Sequence, residues 1–123
     1  MCPLQSFGRA LSGLFRPGKK KTVHQEIFPE EIAAWRERNA RLIDVRETFE
    51  YAAGHIPGTE NIPLTDFPAG LEPDGRPVVL ICASGNRSGY AAAHLAQLGF
   101  AEVANLLGGT AGWARQNRPL EGN

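Results

Sequence analysis

The sequence predicts an α/β fold in three layers, with a mostly parallel central sheet flanked by helices. The first observation is that short β-rich runs alternate with short helical segments, which is typical of a parallel sheet. The second is the continuously apolar run Pro77–Cys82, as expected of a strand that is buried on both faces of such a sheet. The third is the length of 123 residues, which suits one domain.

The domain is predicted to begin with a strand and a helix. Thr22–Ile27 has the composition of a short edge strand. A helix is expected to open within Phe28–Glu31, because proline is favoured at an early helical position and carboxylates interact well with a helix N-terminus. Ile32 and Trp35 then share its buried side. Arg41–Val45 is the next predicted strand.

The middle of the chain is punctuated by glycine and proline. Glu47–Ala53 is predicted to be helical and to end at Gly54. A turn over Gly54–Gly58 leads to a short strand at Glu60–Leu64. Thr65–Arg76 contains two prolines and two glycines and is predicted to be mostly loop.

The last third of the chain completes the alternation. After the apolar strand, Ser88–Leu98 is predicted to form a helix that ends at Gly99. Glu102–Leu107 is a further strand, and Gly108–Gly112 leads into a short helix that carries Trp113. Each helix returns the chain to the same edge of the sheet, so parallel pairing is expected.

Residues 1–21 are predicted to be a cationic amphipathic arm in front of a domain that spans 22–123. Five basic and no acidic residues lie in the first 25, and all three lysines are Lys19–Lys21. A frayed tail, a helix that lies on anionic lipid through residues 4–21, and an organelle transit peptide remain open for this arm. The rest of the chain is acidic, which argues against a nucleic-acid partner.

Composition excludes several further classes. No apolar run approaches the roughly 20 residues of a membrane span. Two cysteines, Cys2 and Cys82, are too few for a disulfide framework. The three histidines have no metal-ligand spacing with either cysteine, so no metal is expected.

Cys82 is the strongest candidate for a reactive residue. As the last residue of the apolar strand it should lie in the crevice where parallel sheets bind ligands. Ala83–Gly89 then turns into a helix, and Gly85 lets the loop curl with its N–H groups pointing inward. These dipoles and the Arg87 guanidinium would favour the thiolate and make Cys82 a nucleophile. The alternative is a small buried hydrophobic residue.

Three segments together resemble a single rhodanese domain: LIDVRETFEYAAGHIPGTENIPL at Leu42–Leu64, VVLICASGNRSGYAAAHLAQLGF at Val78–Phe100 and LLGGTAGW at Leu106–Trp113. They cover most of the chain after the arm, in the order usual for that family. The resemblance implies a sulfurtransferase without a cofactor. In it, Cys82 takes a sulfane sulfur from thiosulfate or a persulfide donor, holds it as a persulfide, and passes it to cyanide, a thiol or a protein acceptor.

The resemblance also implies the roles of the surrounding residues. Cys82 and Arg87 are the catalytic pair, and the donor and persulfide are bound by the loop residues Ala83, Ser84, Gly85, Asn86 and Ser88. Ser88 could also cap the following helix. Asp44 and Arg46 are implied to brace the site, with direct catalysis as the alternative. From its place between glycine and proline, His55 is expected to fix a turn, with an acid or base role near the pocket as the alternative. Gly108 and Gly109 are expected to permit close backbone approach, with plain turn formation as the alternative.

Two other functions fit the same fold. The resemblance extends to phosphatases and arsenate reductases on the same fold, whose loop has a C-x5-R pattern. Here only four residues, Ala83 to Asn86, separate Cys82 from Arg87. The shorter loop is expected to be too tight for a tetrahedral oxyanion. A non-catalytic binding module usually lacks the cysteine. We therefore predict a monomeric sulfurtransferase in the reducing cytoplasm, ahead of an organelle matrix or a peripheral membrane location.

Overall fold

The computed structural model of the chain describes residues 24–68 and 70–122, which form a five-stranded parallel sheet with helices on both faces. The strands are β1 (Gln25–Ile27), β2 (Arg41–Asp44), β3 (Glu60–Asn61), β4 (Val78–Ile81) and β5 (Val103–Leu106). The helices are α1 (Ile32–Glu37), α2 (Thr48–Ala53), α3 (Asn86–Gln97) and α4 (Gly109–Arg115). The strand order is β1-β5-β4-β2-β3, and every neighbouring pair is parallel.

Strand β4 lies at the centre of the sheet and separates two hydrophobic cores. Because side chains alternate along a strand, Val79 and Ile81 face one core and Val78 and Leu80 face the other. The first core contains the indoles of α1 and α4, Trp35 and Trp113, and the second contains Ala91, Ala92 and Leu95 of α3. All four residues of β4 are buried, as the apolar run predicted.

The position of β4 determines where Cys82 lies. Asp44 at the end of β2 is paired with Ile81, and Asn105 of β5 is paired with Leu80. Cys82 follows Ile81 directly, so it lies at the carboxyl edge of the sheet between the ends of two neighbouring strands. This is the edge at which parallel sheets carry their ligand sites.

The predicted fold class is confirmed, and the differences lie at the ends of elements. The first helix begins with a 3-10 turn at Pro29–Glu31. Strand β3 ends at Asn61, although the N–H groups of Ile62 and Leu64 still donate to the carbonyls of Asp44 and Val45. Helix α3 begins at Asn86 rather than at Ser88, because Gly85 in a left-handed conformation (φ +104°) turns the chain earlier than the pattern suggested.

The N-terminal arm and the first residues of the strand predicted from Thr22 lie outside the described residues. Among the helices in 24–68 and 70–122, none is both long and apolar enough to cross a membrane.

Candidate active site

Cys82 is completely buried at the carboxyl end of β4, and the loop that follows it is short. Only Ala83, Ser84 and Gly85 separate it from the first residue of α3. A Cβ atom on Gly85 would lie 3.3 Å from both the nitrogen of Gly108 and the carbonyl oxygen of Leu106. Gly85 therefore provides both the left-handed turn and the space for the loop to pack against the end of β5.

Two hydrogen-bond donors from this loop and helix lie within reach of the Cys82 sulfur. The backbone N–H of Gly85 donates to Sγ at 3.0 Å, and the hydroxyl of Ser88 is 3.3 Å away. Burial raises the pKa of the thiol, but the Ser88 hydroxyl and the N–H groups of Ser88, Ser84 and Gly85 together bring the pKa below its ordinary value. The arrangement favours a thiolate, which is the reactive form of cysteine.

The backbone of α4 supports the loop from the other side. The N–H of Thr110 donates to the carbonyl of Cys82 at 2.8 Å, and the N–H of Ala111 donates to that of Ala83 at 3.0 Å. Gly109 has φ +58°, and a Cβ atom there would lie 2.3 Å from the oxygen of Cys82. Gly108, with φ +78°, begins the same turn. The close backbone approach expected at these two glycines is present in the structure.

Arg87 lies at the start of α3. The sequence suggested that its guanidinium faces the Cys82 sulfur, but in the structure it is directed to Glu50. Its two terminal nitrogens donate to the carboxylate of Glu50 on α2, at 3.0 and 3.1 Å. No hydrogen bond joins Arg87 to Cys82 among the described contacts. Arg87 is paired with Glu50 in this structure, and its support of the sulfur stays a prediction.

Glu50 is a site residue that the sequence analysis missed. It accepts the backbone N–H of Glu47 at 2.9 Å and so also caps α2. The hydrogen bond from Arg87 lowers the pKa of the Glu50 carboxyl, which keeps the pair ionised near neutral pH. Glutamates at both ends of the segment Glu47–Glu50 could have indicated the cap, but the pairing with α3 depends on the tertiary structure.

Asp44 and Arg46 form a buried pair beside Cys82. Arg46 donates through Nε and Nη2 to the Asp44 carboxylate at 3.0 and 2.9 Å, and also to the carbonyl of Gly54 at 2.7 Å. The amide of Asn61 then donates to the carbonyls of Asp44 and Arg46, both at 3.0 Å. These contacts connect β2, β3 and the end of α2, which is the geometry of a brace.

His55 is buried in the turn after α2. Its Nδ1 donates to the carbonyl of Tyr51 at 2.7 Å, and its ring stacks on that of Tyr51 with centroids 3.7 Å apart. Its backbone pairs with Glu121 near the C-terminus. These contacts fix the turn and the end of the chain, as the supporting role of His55 anticipated.

Asn105 of β5 is a second residue that the sequence analysis missed. Its amide nitrogen donates to the carbonyl of Gly85 at 3.0 Å and to Glu26 on β1 at 2.8 Å, while its oxygen accepts a hydrogen bond from Ser88. Ser88 therefore contacts the sulfur and Asn105, and it does not cap α3, which Gly85 precedes. An asparagine inside an apolar strand was the only sequence signal for this role.

Two cavities flank the loop. One of about 550 Å³ is bounded by Ser84 and Asn86 together with His24, Glu26 and Tyr90. The other, of about 310 Å³, is bounded on the α2 and α4 side by Ala83, Arg46, Glu50 and Thr110. Among the described residues no group of three or more His, Cys, Asp or Glu side chains is arranged to hold a metal ion.

Comparison with known proteins agrees with this geometry. The family model for the rhodanese-like domain matches residues 28–116. Thiosulfate sulfurtransferase GlpE of Pseudomonas aeruginosa is 39% identical over 92 residues, which is 72% of this chain and 83% of that protein. A protein named sulfurtransferase from Allochromatium vinosum is 41% identical over 81 residues, covering 64% of this chain and 76% of that protein.

A crystal structure gives the same result. The rhodanese-related protein from Thermoplasma volcanium superimposes with a TM-score of 0.70 at 32% identity, covering 80% of this chain and 98% of that one. The chain belongs to the rhodanese-like domain family. Its homologues of about 40% identity and its free cysteine at the end of β4 identify it as a sulfurtransferase.

Substitution of Gly109 tests the tight packing behind Cys82. We expect Gly109→Ala to lower the free energy of unfolding by about 2 kcal/mol or more, because its Cβ would overlap the Cys82 carbonyl. Gly99→Ala is the matched control, since Gly99 also has a positive φ of +98° but nothing lies within 4 Å of its Cβ position. Urea unfolding of both variants measures the difference, and equal losses would contradict the steric account.

Proposed function

We propose that this sulfurtransferase carries a sulfane sulfur as a persulfide on Cys82. The observation that supports the proposal is the buried sulfur at the end of β4, which accepts hydrogen bonds from the N–H of Gly85 and the hydroxyl of Ser88. Such donors stabilise a thiolate that attacks and later leaves. The names of the relatives agree with this chemistry.

In the first half-reaction, the Cys82 thiolate attacks the outer sulfur of the donor. A bond forms between Sγ and that sulfur while the donor's S–S bond breaks and its electron pair goes to the leaving group. With thiosulfate the leaving group is sulfite, and with an organic persulfide it is a thiolate. Charge is conserved in both cases, and Cys82 is left as an anionic persulfide.

In the second half-reaction, a nucleophile attacks the outer sulfur of the persulfide. The electron pair of the broken S–S bond returns to Sγ, so Cys82 leaves as a thiolate. Cyanide as the acceptor gives thiocyanate, and a small-molecule or protein thiolate gives a new persulfide. The hydrogen bonds from Gly85 and Ser88 assist this step because they stabilise the leaving thiolate.

The donor is proposed to be thiosulfate or a persulfide, bound in the cavity of about 310 Å³ on the α2 and α4 side of the loop. Arg46, which borders this cavity, is paired with Asp44, and Arg87 is paired with Glu50, which also borders it. The name of the Pseudomonas aeruginosa relative favours thiosulfate. We place the reaction in the reducing cytoplasm, which suits a free reactive thiol.

Intact-protein mass spectrometry tests the persulfide directly. Incubation with thiosulfate, and separately with glutathione persulfide, is expected to add the mass of one sulfur to the protein, and cyanide is expected to remove it. Cys82→Ser should abolish the gain, since the hydroxyl is a far weaker nucleophile than the thiolate.

Cys2→Ser is the matched control and should gain sulfur as the unaltered protein does. A gain that persists in Cys82→Ser would contradict the assignment. If neither donor adds sulfur, phosphatase and arsenate reductase assays decide between an oxyanion chemistry and a binding role.

Arg87 is expected to act in donor capture. Arg87→Ala should raise the KM for thiosulfate by about tenfold, because an ionic hydrogen-bond donor is lost while the fold is retained. Glu50→Gln should lower that KM, since Arg87 then no longer faces a carboxylate. Steady-state kinetics with thiosulfate and cyanide measure both changes.

Arg38→Ala provides the control for Arg87, because Arg38 forms an exposed ion pair with Glu102 at the opposite edge of the sheet. Unchanged donor kinetics in Arg87→Ala, or the same change in Arg38→Ala, would refute the role assigned to Arg87.

The N-terminal arm, which lies outside the described residues, supports a separate proposal of weak contact with anionic membrane. Its basis is the triplet Lys19–Lys21 next to apolar residues that recur at three- and four-residue steps, namely Leu4, Phe7, Leu11, Leu14 and Phe15. Replacing the three lysines by glutamine should reduce sedimentation with vesicles that contain phosphatidylserine, since each lysine near such a surface contributes about 1 kcal/mol. Equal sedimentation of the two proteins would remove the proposal.

A further inference from the structure

We infer that Asn105 is a positioning residue that competes with the Cys82 sulfur for the single proton of the Ser88 hydroxyl. The hydroxyl then follows the charge on Sγ, turning to the sulfur when Cys82 is a thiolate and to Asn105 when it is a thiol or a persulfide. The part of this inference that concerns sulfur transfer depends on the proposed function.

The geometry around Ser88 sets up the competition. Its hydroxyl is completely buried and lies within hydrogen-bond distance of two acceptors, the Cys82 sulfur at 3.3 Å and the amide oxygen of Asn105. A serine hydroxyl has one proton to donate. Only one acceptor can receive it at a time, and the other must find a different donor or remain without one.

The orientation of the Asn105 amide is fixed by its other contacts. Its nitrogen donates to the carbonyl of Gly85 at 3.0 Å and to the carboxylate of Glu26 at 2.8 Å. A flipped amide would place its oxygen against these two acceptors, which is unfavourable. The oxygen is therefore held toward Ser88, and Glu26 on the edge strand β1 helps to hold it there.

This arrangement makes the two residues act in opposite directions on the thiol. The Ser88 hydroxyl stabilises the thiolate when it turns to Sγ. When the Ser88 hydroxyl points to Sγ, the Asn105 oxygen loses its hydrogen bond from Ser88. Asn105 is only 3% exposed, and an unpaired buried acceptor is unfavourable. Asn105 therefore opposes ionisation of Cys82, but only through Ser88.

The direction of the Ser88 hydroxyl is expected to change during sulfur transfer, because the charge on Sγ changes. In the persulfide the negative charge lies on the outer sulfur, so Sγ is a poor acceptor and the hydroxyl returns to Asn105. When the acceptor attacks, the electron pair of the S–S bond moves to Sγ and the hydroxyl turns back to it. No proton leaves Ser88, because only the direction of its O–H bond changes.

The charged groups on the surrounding elements do not change in this test. They are Arg87 on α3, its partner Glu50 on α2, the pair of Asp44 and Arg46 after β2, and Glu26 with its partner His24 at β1. Substitution of Ser88 or Asn105 removes neutral groups only. A change in the thiol pKa in these variants therefore reports on the hydrogen bonds.

The test is a pH titration of the thiolate by its ultraviolet absorbance, in the full chain with Cys2→Ser. Asn105→Ala is expected to lower the pKa of Cys82 by roughly half a unit to one unit, as Ser88 becomes free to donate to the sulfur. Ser88→Ala is expected to raise it by a similar amount. The double variant should match Ser88→Ala, since Asn105 has no effect once Ser88 is gone.

Three results would overturn the inference: a pKa that rises in Asn105→Ala, one that does not change, or a double variant in which the single effects add. Should Asn105→Ala fail to fold, the exposed Glu26→Ala provides the test, because it removes an acceptor that holds the Asn105 amide. It should lower the pKa more when Ser88 is present than in the Ser88→Ala background, and equal shifts would overturn the inference.

The titration uses no sulfur donor, so it is independent of the proposed function. The pKa pattern upholds the competition between Cys82 and Asn105 whether or not a persulfide forms. Failure of the unaltered protein to form a persulfide would overturn the proposed function and the account of sulfur transfer given with it.

Discussion

The hydrogen bonds to the Cys82 sulfur depend on how tightly the chain turns between β4 and α3. Three residues must reverse the backbone, and Gly85 does so in a left-handed conformation that brings its own N–H to within 3.0 Å of Sγ. The turn is possible only because Gly108 and Gly109 let the start of α4 pack against the same backbone. Stabilisation of the thiolate is thus a property of backbone packing more than of any one side chain.

The remaining contacts attach this loop to β5 and β1 and brace the ends of β2 and β3. Asn105 attaches the loop to β5 and, through Glu26, to β1. Asp44 and Arg46 connect the end of β2 with β3 and α2, and Arg87 joins α3 to α2 through Glu50. Each arginine near Cys82 is paired with a carboxylate, so hydrogen-bond donors aimed at the sulfur provide much of its stabilisation.

The fold and the position of Cys82 could be predicted from the sequence because both follow from local patterns. The apolar run that ends in Cys82 defines a central strand, and the carboxyl edge of such a strand defines the crevice. The glycines of GGTAG likewise indicated a close backbone approach. The predicted start of α3 was two residues too late, since the sequence pattern does not indicate that Gly85 adopts a left-handed conformation.

The partners of the polar side chains could not be predicted in the same way. Arg87 was expected to favour the thiolate, but it is paired with Glu50, which lies 37 residues away in the sequence and reaches Arg87 only in the folded chain. Asn105 and Glu26 are separated by 79 residues and meet because β1 and β5 are neighbours at the sheet edge. Contacts of this kind depend on topology and register, which one sequence does not reveal.

The central claim is that this loop lowers the pKa of Cys82 and so favours its thiolate, which is the nucleophilic form. Its most direct test is the pH dependence of the rate at which a stoichiometric donor forms the persulfide, measured in rapid-mixing experiments with the unaltered protein. The thiolate is the reactive form and its pKa is lowered, so the rate should keep its alkaline plateau as the pH falls past the ordinary cysteine value of about 8.5, and decline only at a lower pH. A midpoint at or above that ordinary value would contradict the account.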